Sequence, residues 1–180
     1  MLIAGNELKQ LVKDGVITGL LSDDQINAAS IDVTLGSLIL TEPEIGNPIS
    51  VSLKDRTPIP FNENSIEGGN FVLAPSQFIL VSTNEVFNLP EDISAVYKLK
   101  SSMARIGIQA ANAGWCDAGW HDSILTTALT NTTNRTSVVL DHNTAIGQVV
   151  FFRHPKVSAD QSYAAKGSYN KTATTQGTKK

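Results

Sequence analysis

The chain has 180 residues, of which 41% are apolar and 17% charged, with a net charge of −3 and an isoelectric point near 5.5. That length suits one domain with a sizeable core. The acidic balance excludes a broad nucleic-acid-binding face, but not a local cluster of donors for a small anion. No apolar run exceeds five residues, so no membrane span is expected. The opening MLIAGNELKQ lacks the basic and apolar regions of a secretory signal. The lone cysteine, Cys116, cannot form an internal disulfide, and with no signal this predicts a reducing, cytoplasmic setting.

In chain order, residues 5–14 read as a short helix, with Leu8, Leu11 and Val12 on one face and Gly15 as its stop. Ser22 or Asp23 caps a further helical turn over Asp24–Asn27. Ile31–Leu35 alternates with period two, and Leu38–Leu40 continues it after Gly36. Residues 41–70 read as loops around a short strand at 49–53. Further strands are predicted at 71–73, 77–82, 93–99, 106–110, 123–130, 136–140 and 146–153, separated by Pro-, Asn- and Asp-containing turns. This pattern predicts a mainly β fold, a sandwich or barrel with a short N-terminal helix. The tail 158–180 is polar and by composition has no packed structure of its own. The final 28 residues hold Arg153, Lys156, Lys166, Lys171, Lys179 and Lys180 against Asp160 alone.

Two segments carry chemistry. Lys100-Ser101-Ser102-Met103-Ala104-Arg105 sets two hydroxyls between two cations beside Gly107, a donor set suited to phosphate oxygens. Spacing alone favours a solvated turn after a strand, and neither a Walker-type loop nor GxGxxG is present. Ala113–Asp122 holds Trp115 and Trp120 around Asp117, which suits a hairpin offering flat rings and exposed backbone to a pyrimidine or deoxyribose. A core hairpin with a polar tip explains the same residues equally well. His121, Asp122, His142 and His154 match no zinc spacing, and the H-x-E and P-C-x-x-C signature of zinc base deaminases is missing. Cys116 has no fixed cation near it in sequence, which argues against a nucleophilic thiol.

Taken together and in order, these segments resemble the dCTP deaminase/dUTPase family. Ala28–Gly36 resembles its first motif, and Phe71–Pro90 the segment before the active site. Lys100–Gly107 resembles the serine-rich motif, with Lys100 where arginine is common. Ala113–Trp120 resembles the hairpin, Ile146-Gly147-Gln148 the late strand, and Tyr163–Tyr169 the tail that folds over the triphosphate. The resemblance implies a distorted β-barrel or jelly-roll-like sandwich and a homotrimer with sites at subunit interfaces. It also implies Mg²⁺ held mainly through substrate phosphates, with no direct protein metal ligand. The whole chain, 1–180, reads as one such domain, with an N-terminal helical segment at 1–22 and a mobile tail at 158–180 closing over substrate.

One departure separates the family's reactions. Its deaminases carry a glutamate ten residues after the hairpin aspartate. Here that position is Thr127, or Ala128 if the segment is slid to match Asn131, and no glutamate follows Glu91. Deamination needs a group that takes a proton from water and returns it to the leaving amine, and losing such a group costs roughly 10²–10⁴-fold. Asp122 lies at the family's glycine position and would have to reach in from a turn. The resemblance therefore predicts hydrolysis of a pyrimidine deoxynucleoside triphosphate, dUTP first and dCTP second, to the monophosphate and pyrophosphate. Asp117, Ser101 and Arg105 are the expected catalytic residues, Asp117 orienting water and Arg105 bracing Ser101 or facing the base. Lys100, Ser101, Ser102, Gln148, Lys166 and Lys171 are expected on the phosphates, Trp115, Trp120 and the hairpin backbone on the base, and Tyr163 and Tyr169 in the closing tail. A dCTP deaminase releasing ammonia, and a non-catalytic nucleotide-binding or structural trimer, are the alternative readings.

Overall fold

A computed structural model describes residues 1–43, 49–52, 54–111 and 113–179. Helix α1 (Asn6–Lys13) buries Leu8 and Leu11 and ends before Gly15, whose φ of 74° takes the left-handed turn that glycine tolerates. The next turn, Asp23–Gln25, is a 3₁₀ helix closed by a capping box. Ser22 accepts from the Asp24 amide at 3.3 Å, and Gln25 Oε1 accepts from the Ser22 amide at 3.3 Å.

The strands are β1 (Ile17–Thr18), β2 (Ile31–Thr41), β3 (Asn62–Ser65), β4 (Asn70–Leu73), β5 (Phe78–Phe87), β6 (Ile93–Leu99), β7 (Ile108–Ala110), β8 (Trp115–Cys116), β9 (Ser123–Asn131), β10 (Val138–Asp141) and β11 (Ala145–Arg153). The main sheet runs β7-β9-β5-β2-β11-β6-β8, with β1 added to β5 and β3 to β2, and β4 pairs with β10 apart from it. Every pairing is antiparallel. The sheet curls into a half-barrel, in keeping with the mainly β barrel or sandwich expected from the sequence. Alternation along β9 shows why. Ser123, Leu125, Thr127, Leu129 and Asn131 are buried, while the residues between them are half-exposed. Two apolar clusters fill the interior, one around Ile31, Phe87 and Phe151, the other around Leu35, Ile79 and Leu129. Among the described residues no helix is long and apolar enough to cross a membrane.

Three local expectations are corrected. The strand foreseen at 49–53 is not formed over 49–52, and Leu53 lies outside the described residues; the strand in this region is β3, Asn-Glu-Asn-Ser. As an edge strand on β2 it needs backbone hydrogen bonds rather than an apolar face, so hydrophobic alternation missed it. Ser101–Arg105 is a short helix, α2, rather than a turn. Lys100 is its N-cap residue, and the Ala104 amide donates to the Lys100 carbonyl at 3.1 Å. It ends at Gly107, φ 88°, so the strand foreseen from 106 starts at Ile108.

The tail follows a packed course despite its composition. It forms α3 (Tyr163–Lys166), whose N-cap Ser162 accepts from the Ala164 amide at 3.2 Å. Beyond α3 it runs along the edge of β9 that β7 leaves open: Ile124 N donates to the Thr172 carbonyl at 2.9 Å, and Thr172 N to Ser123 Oγ at 3.2 Å. Buried Thr175 donates to the Leu38 carbonyl at 2.7 Å and lies 2.9 Å from Ser82 Oγ. Hydrogen bonds to a preformed sheet edge do here what apolar burial does elsewhere, and composition counts only the latter.

Candidate active site

The hairpin acid is positioned by β8. Its register, Ala95 opposite Cys116 and Val96 opposite Trp115, sets Cys116 inward and both its neighbours outward. Trp115 is 59% exposed, and its indole N–H donates to Asp117 Oδ1 at 2.7 Å. Cys116 is buried. Burial, and then the Asp117 charge, push its thiol up to about 12, so it is not a nucleophile at neutral pH. Trp120 is buried, stacked on Phe87 with centroids 5.2 Å apart, and its indole N–H donates to the Tyr169 carbonyl at 2.8 Å. The two tryptophans are therefore not a matched pair of open rings: one orients the acid, the other anchors the tail.

Two cavities meet at Asp117. The first, about 400 Å³, lies between hairpin, sheet and tail. Trp115, Asp117 and Trp120 line it with Phe61, Phe78, Leu80, Ile124 and Thr126 of the sheet side and Tyr163, Tyr169, Thr172 and Gln176 of the tail. The second, about 350 Å³, is lined by Ser94, Asp117, Gln161, Tyr163 and Lys166. Asp117 is the one acid lining either cavity among the described residues. Tyr163 belongs to both walls; burial raises its hydroxyl above the usual tyrosine value, and that hydroxyl accepts from the Tyr169 amide at 3.3 Å. The Tyr169 ring carries Lys179 Nζ at 5.1 Å from its centroid. Lys171, with φ 56°, is exposed, and its amide donates to the His121 carbonyl at 3.2 Å. Asp122 points to solvent, its side chain 65% exposed, and lines neither cavity.

The serine segment gathers elsewhere. Lys100 is ion-paired with Asp32, which also accepts from Asn27 Nδ2 at 2.8 Å. Gln148 stands opposite both Asp32 and Lys98 in the sheet, and its Oε1 accepts from Ser30 Oγ at 3.0 Å. Ser101, Ser102 and Arg105 are exposed on α2. Lys100, Ser101, Ser102, Arg105 and Gln148 thus share one end of the sheet, and Asp117, Trp115, Trp120, Tyr163, Lys166 and Tyr169 share another. Strand β6 measures the gap. Its Ser94 end meets Asp117 and its Leu99 end leads into Lys100, a separation of roughly 20 Å at 3.3 Å per residue.

The deaminase position faces inward. Thr127 is buried and pairs with Val81, and Ala128 pairs with Leu80. Sequence reasoning missed Asp32 as the partner of Lys100, and Phe61, Phe78, Thr126 and Gln176 in the cavity wall. Asp32 had a signal, lying within the first quoted motif; the others lie on segments that meet the hairpin only in three dimensions. Among the described residues no three His, Cys, Asp or Glu side chains converge to hold a metal ion.

A family model described as dCTP deaminase-like matches residues 2–154. The chain belongs to the dCTP deaminase-like family. It is 32% identical over 185 residues, 99% of this chain and 96% of the relative, to a protein of Coprothermobacter proteolyticus named dCTP deaminase, dUMP-forming. A Haloarcula marismortui protein named dCTP deaminase is 35% identical over 147 residues, 80% of this chain and 74% of the relative. The fold is similar to that of the 2′-deoxycytidine 5′-triphosphate deaminase of Agrobacterium tumefaciens, with a TM-score of 0.67 at 23% identity over 85% of this chain. The match spans about half, 48%, of that longer chain. The family match ends before the tail, so Tyr163 to Lys171 rest on geometry and on the quoted resemblance.

Proposed function

We propose that this member of the dCTP deaminase-like family hydrolyses a pyrimidine deoxynucleoside triphosphate, dUTP first and dCTP second, to the monophosphate and pyrophosphate. The observation that carries this is the Asp117 carboxylate, oriented by the Trp115 N–H at 2.7 Å on the shared wall of both cavities. A carboxylate in that place takes the proton of a water aimed at phosphorus. The water oxygen bonds to phosphorus, the bond to the pyrophosphate oxygen breaks, and pyrophosphate leaves. Lys100, Ser101, Ser102, Arg105 and Gln148 are the donors for phosphate oxygens, joined by Lys166 and Lys171 of the tail. Mg²⁺ takes oxygen ligands and keeps several waters, so it would be held through the triphosphate rather than by a protein side chain and would neutralise the phosphate charge.

The roughly 20 Å between Asp117 and Lys100 within one chain supports a homotrimer. Water must sit about 3–3.5 Å from the phosphorus it attacks. On this reading the serine segment of a neighbouring copy, rather than that of the same chain, would hold that phosphate. Light scattering that finds a fully active monomer refutes this.

Deamination of dCTP is the second reading, favoured by the names of the relatives. Thr127 argues against it, since it carries no group that exchanges protons near neutral pH and is buried. The test is incubation with Mg²⁺ and each deoxynucleoside triphosphate, with ammonia and pyrophosphate assayed separately. Pyrophosphate without ammonia supports the proposal. Stoichiometric ammonia from dCTP overturns it for the deaminase, and binding with neither product favours a non-catalytic role.

A further inference from the structure

We infer that Ser94 and His154 form a proton relay that returns Asp117 to its charged form after each turnover; this rests on the function proposed above. The two side chains meet at the ends of β6 and β11, where Ser94 Oγ lies 3.0 Å from His154 Nε2. The other ring nitrogen, Nδ1, lies 2.8 Å from the Pro155 carbonyl oxygen. A carbonyl can only accept, so Nδ1 carries the hydrogen of the neutral ring, and Nε2 is left as an acceptor for the Ser94 hydroxyl. A base oriented by a third group and bonded to a hydroxyl is an arrangement that moves protons.

Strand register carries this pair to the site. One step beyond Ala95 opposite Cys116, Ser94 faces Asp117, and residues so placed hold their Cβ atoms roughly 5 Å apart. On the other side of β6, Ser94 faces Phe152, and His154 follows two residues on, its amide donating to the Asp92 carbonyl at 2.9 Å. Asp117, Ser94 and His154 therefore form a row on one face, across the neighbouring ends of β8, β6 and β11. Ser94 is buried, yet it lines the cavity of about 350 Å³ that Asp117 and Lys166 also line, which has room for water between hydroxyl and carboxylate. His154 is half-buried, so its ring reaches solvent. The charged residues on the segments packed around the ring nearly balance: Glu91, Asp92 and Asp160 against Arg153, Lys156 and Lys166, with Asp117 across the cavity.

The relay answers a need of the proposed chemistry. Asp117 accepts a proton from the attacking water and must lose it before the next turnover. In the free chain Asp117 is exposed, but a triphosphate in the first cavity and a neighbouring copy over it would close that side. On the side of the second cavity, Asp117 gives its proton through water to Ser94 Oγ, while Ser94 gives its own to His154 Nε2. Asp117 is then a carboxylate again, Ser94 still a neutral hydroxyl and His154 an imidazolium, which loses a proton to solvent. On this reading neither Ser94 nor His154 touches the substrate; both act through Asp117.

The test is pyrophosphate release from dUTP and dCTP with Mg²⁺, as a function of pH, by the wild type, Ser94→Ala, His154→Gln and His154→Ala. Glutamine keeps an acceptor for the Ser94 hydroxyl but cannot take up its proton, so a merely structural role predicts a rescued enzyme and the relay predicts none. All three variants should lose roughly 10-fold or more in kcat with KM little changed. The wild-type kcat should fall as pH drops and the imidazole gains its proton, and this limb should move down to the carboxylate range in both His154 variants. Free imidazole should restore His154→Ala, and among substituted imidazoles the restored rate should rise with basicity. Full activity of Ser94→Ala or His154→Gln overturns the inference, as does a deficit in His154→Ala that no imidazole relieves. Failure of the wild type to release pyrophosphate from either nucleotide instead sinks the functional reading beneath it.

Discussion

The indole N–H of Trp115 donates to Asp117 Oδ1 at 2.7 Å across one intervening residue. The contact follows from strand geometry: with Cys116 turned inward, positions 115 and 117 share the outer face. A largely exposed tryptophan thereby serves as the positioning residue of the proposed base. Trp115→Phe keeps a ring and loses the donor. We expect kcat to fall roughly 10-fold to 100-fold with KM little changed, the worth of a hydrogen bond to a charged group. Asp117→Asn should cost roughly 10²–10⁴-fold in kcat while binding survives. The double variant should lose no more than Asp117→Asn alone; fully additive losses would show that the two side chains act separately.

Adding an acid at the deaminase position should not create a deaminase. Thr127 is buried and lines neither cavity, so Thr127→Glu places a carboxylate in the core rather than in the cavity. We expect a loss of roughly 3 kcal/mol or more in denaturant unfolding and no ammonia from dCTP. Thr126→Glu faces the cavity and can still accept from the Gln176 amide, so its stability should change by less than about 1 kcal/mol. Ammonia release by a stable Thr127→Glu protein would contradict the inward orientation.

The tail should be separable from the fold. Its anchors are hydrogen bonds to Trp120, Ser123, Thr126 and Ser82, while the apolar clusters lie almost wholly before residue 158. Truncation after Ser158 should preserve the strand signal in circular dichroism and lower kcat/KM. Gly119→Ala should imitate it. Gly119 has φ 86°, and a Cβ there would stand 1.9 Å from Ser162 Oγ, forcing α3 away. Trypsin should then cut at Lys166 and Lys171 faster than in the wild type; equal cleavage rates would show that the tail tolerates the substitution in place.

Glu85 sets a pH dependence of stability. It is fully buried and accepts from Thr34 N at 3.0 Å, Thr34 Oγ1 at 2.9 Å and Gln25 Nε2 at 2.7 Å. Burial outweighs these donors and raises its folded value above 4.5. Between the unfolded and folded values the folded state binds more protons, so this contribution is complete below about 4.5 and is lost as pH rises through the folded value. Glu85→Gln removes that loss. Its melting temperature relative to wild type should climb from pH 4 to pH 7, and a difference independent of pH would mean that Glu85 does not titrate differently on folding.

By itself the sequence determined the mainly β fold, the terminal helix and the family. Period-two alternation reports the buried face of a strand, as at Ile31–Leu35 and β9, and the quoted motifs are contiguous. It also named Asp117 and the missing deaminase acid, since both are matters of residue identity at a spacing. Tertiary structure alone decided what those residues touch. Polar β3 and the tail from Ser162 to Thr178 hold to the sheet by hydrogen bonds, which leave no hydrophobic period to read. Lys100 meets Asp32 68 residues away, and Thr175 meets Ser82 93 residues away. The direction in which Thr127 points depends on the register of β9 with β5. The separation of Asp117 from Lys100 is the length of β6. Distances of this kind arise from strand pairing, and pairing is a property of the folded sheet rather than of any window of sequence.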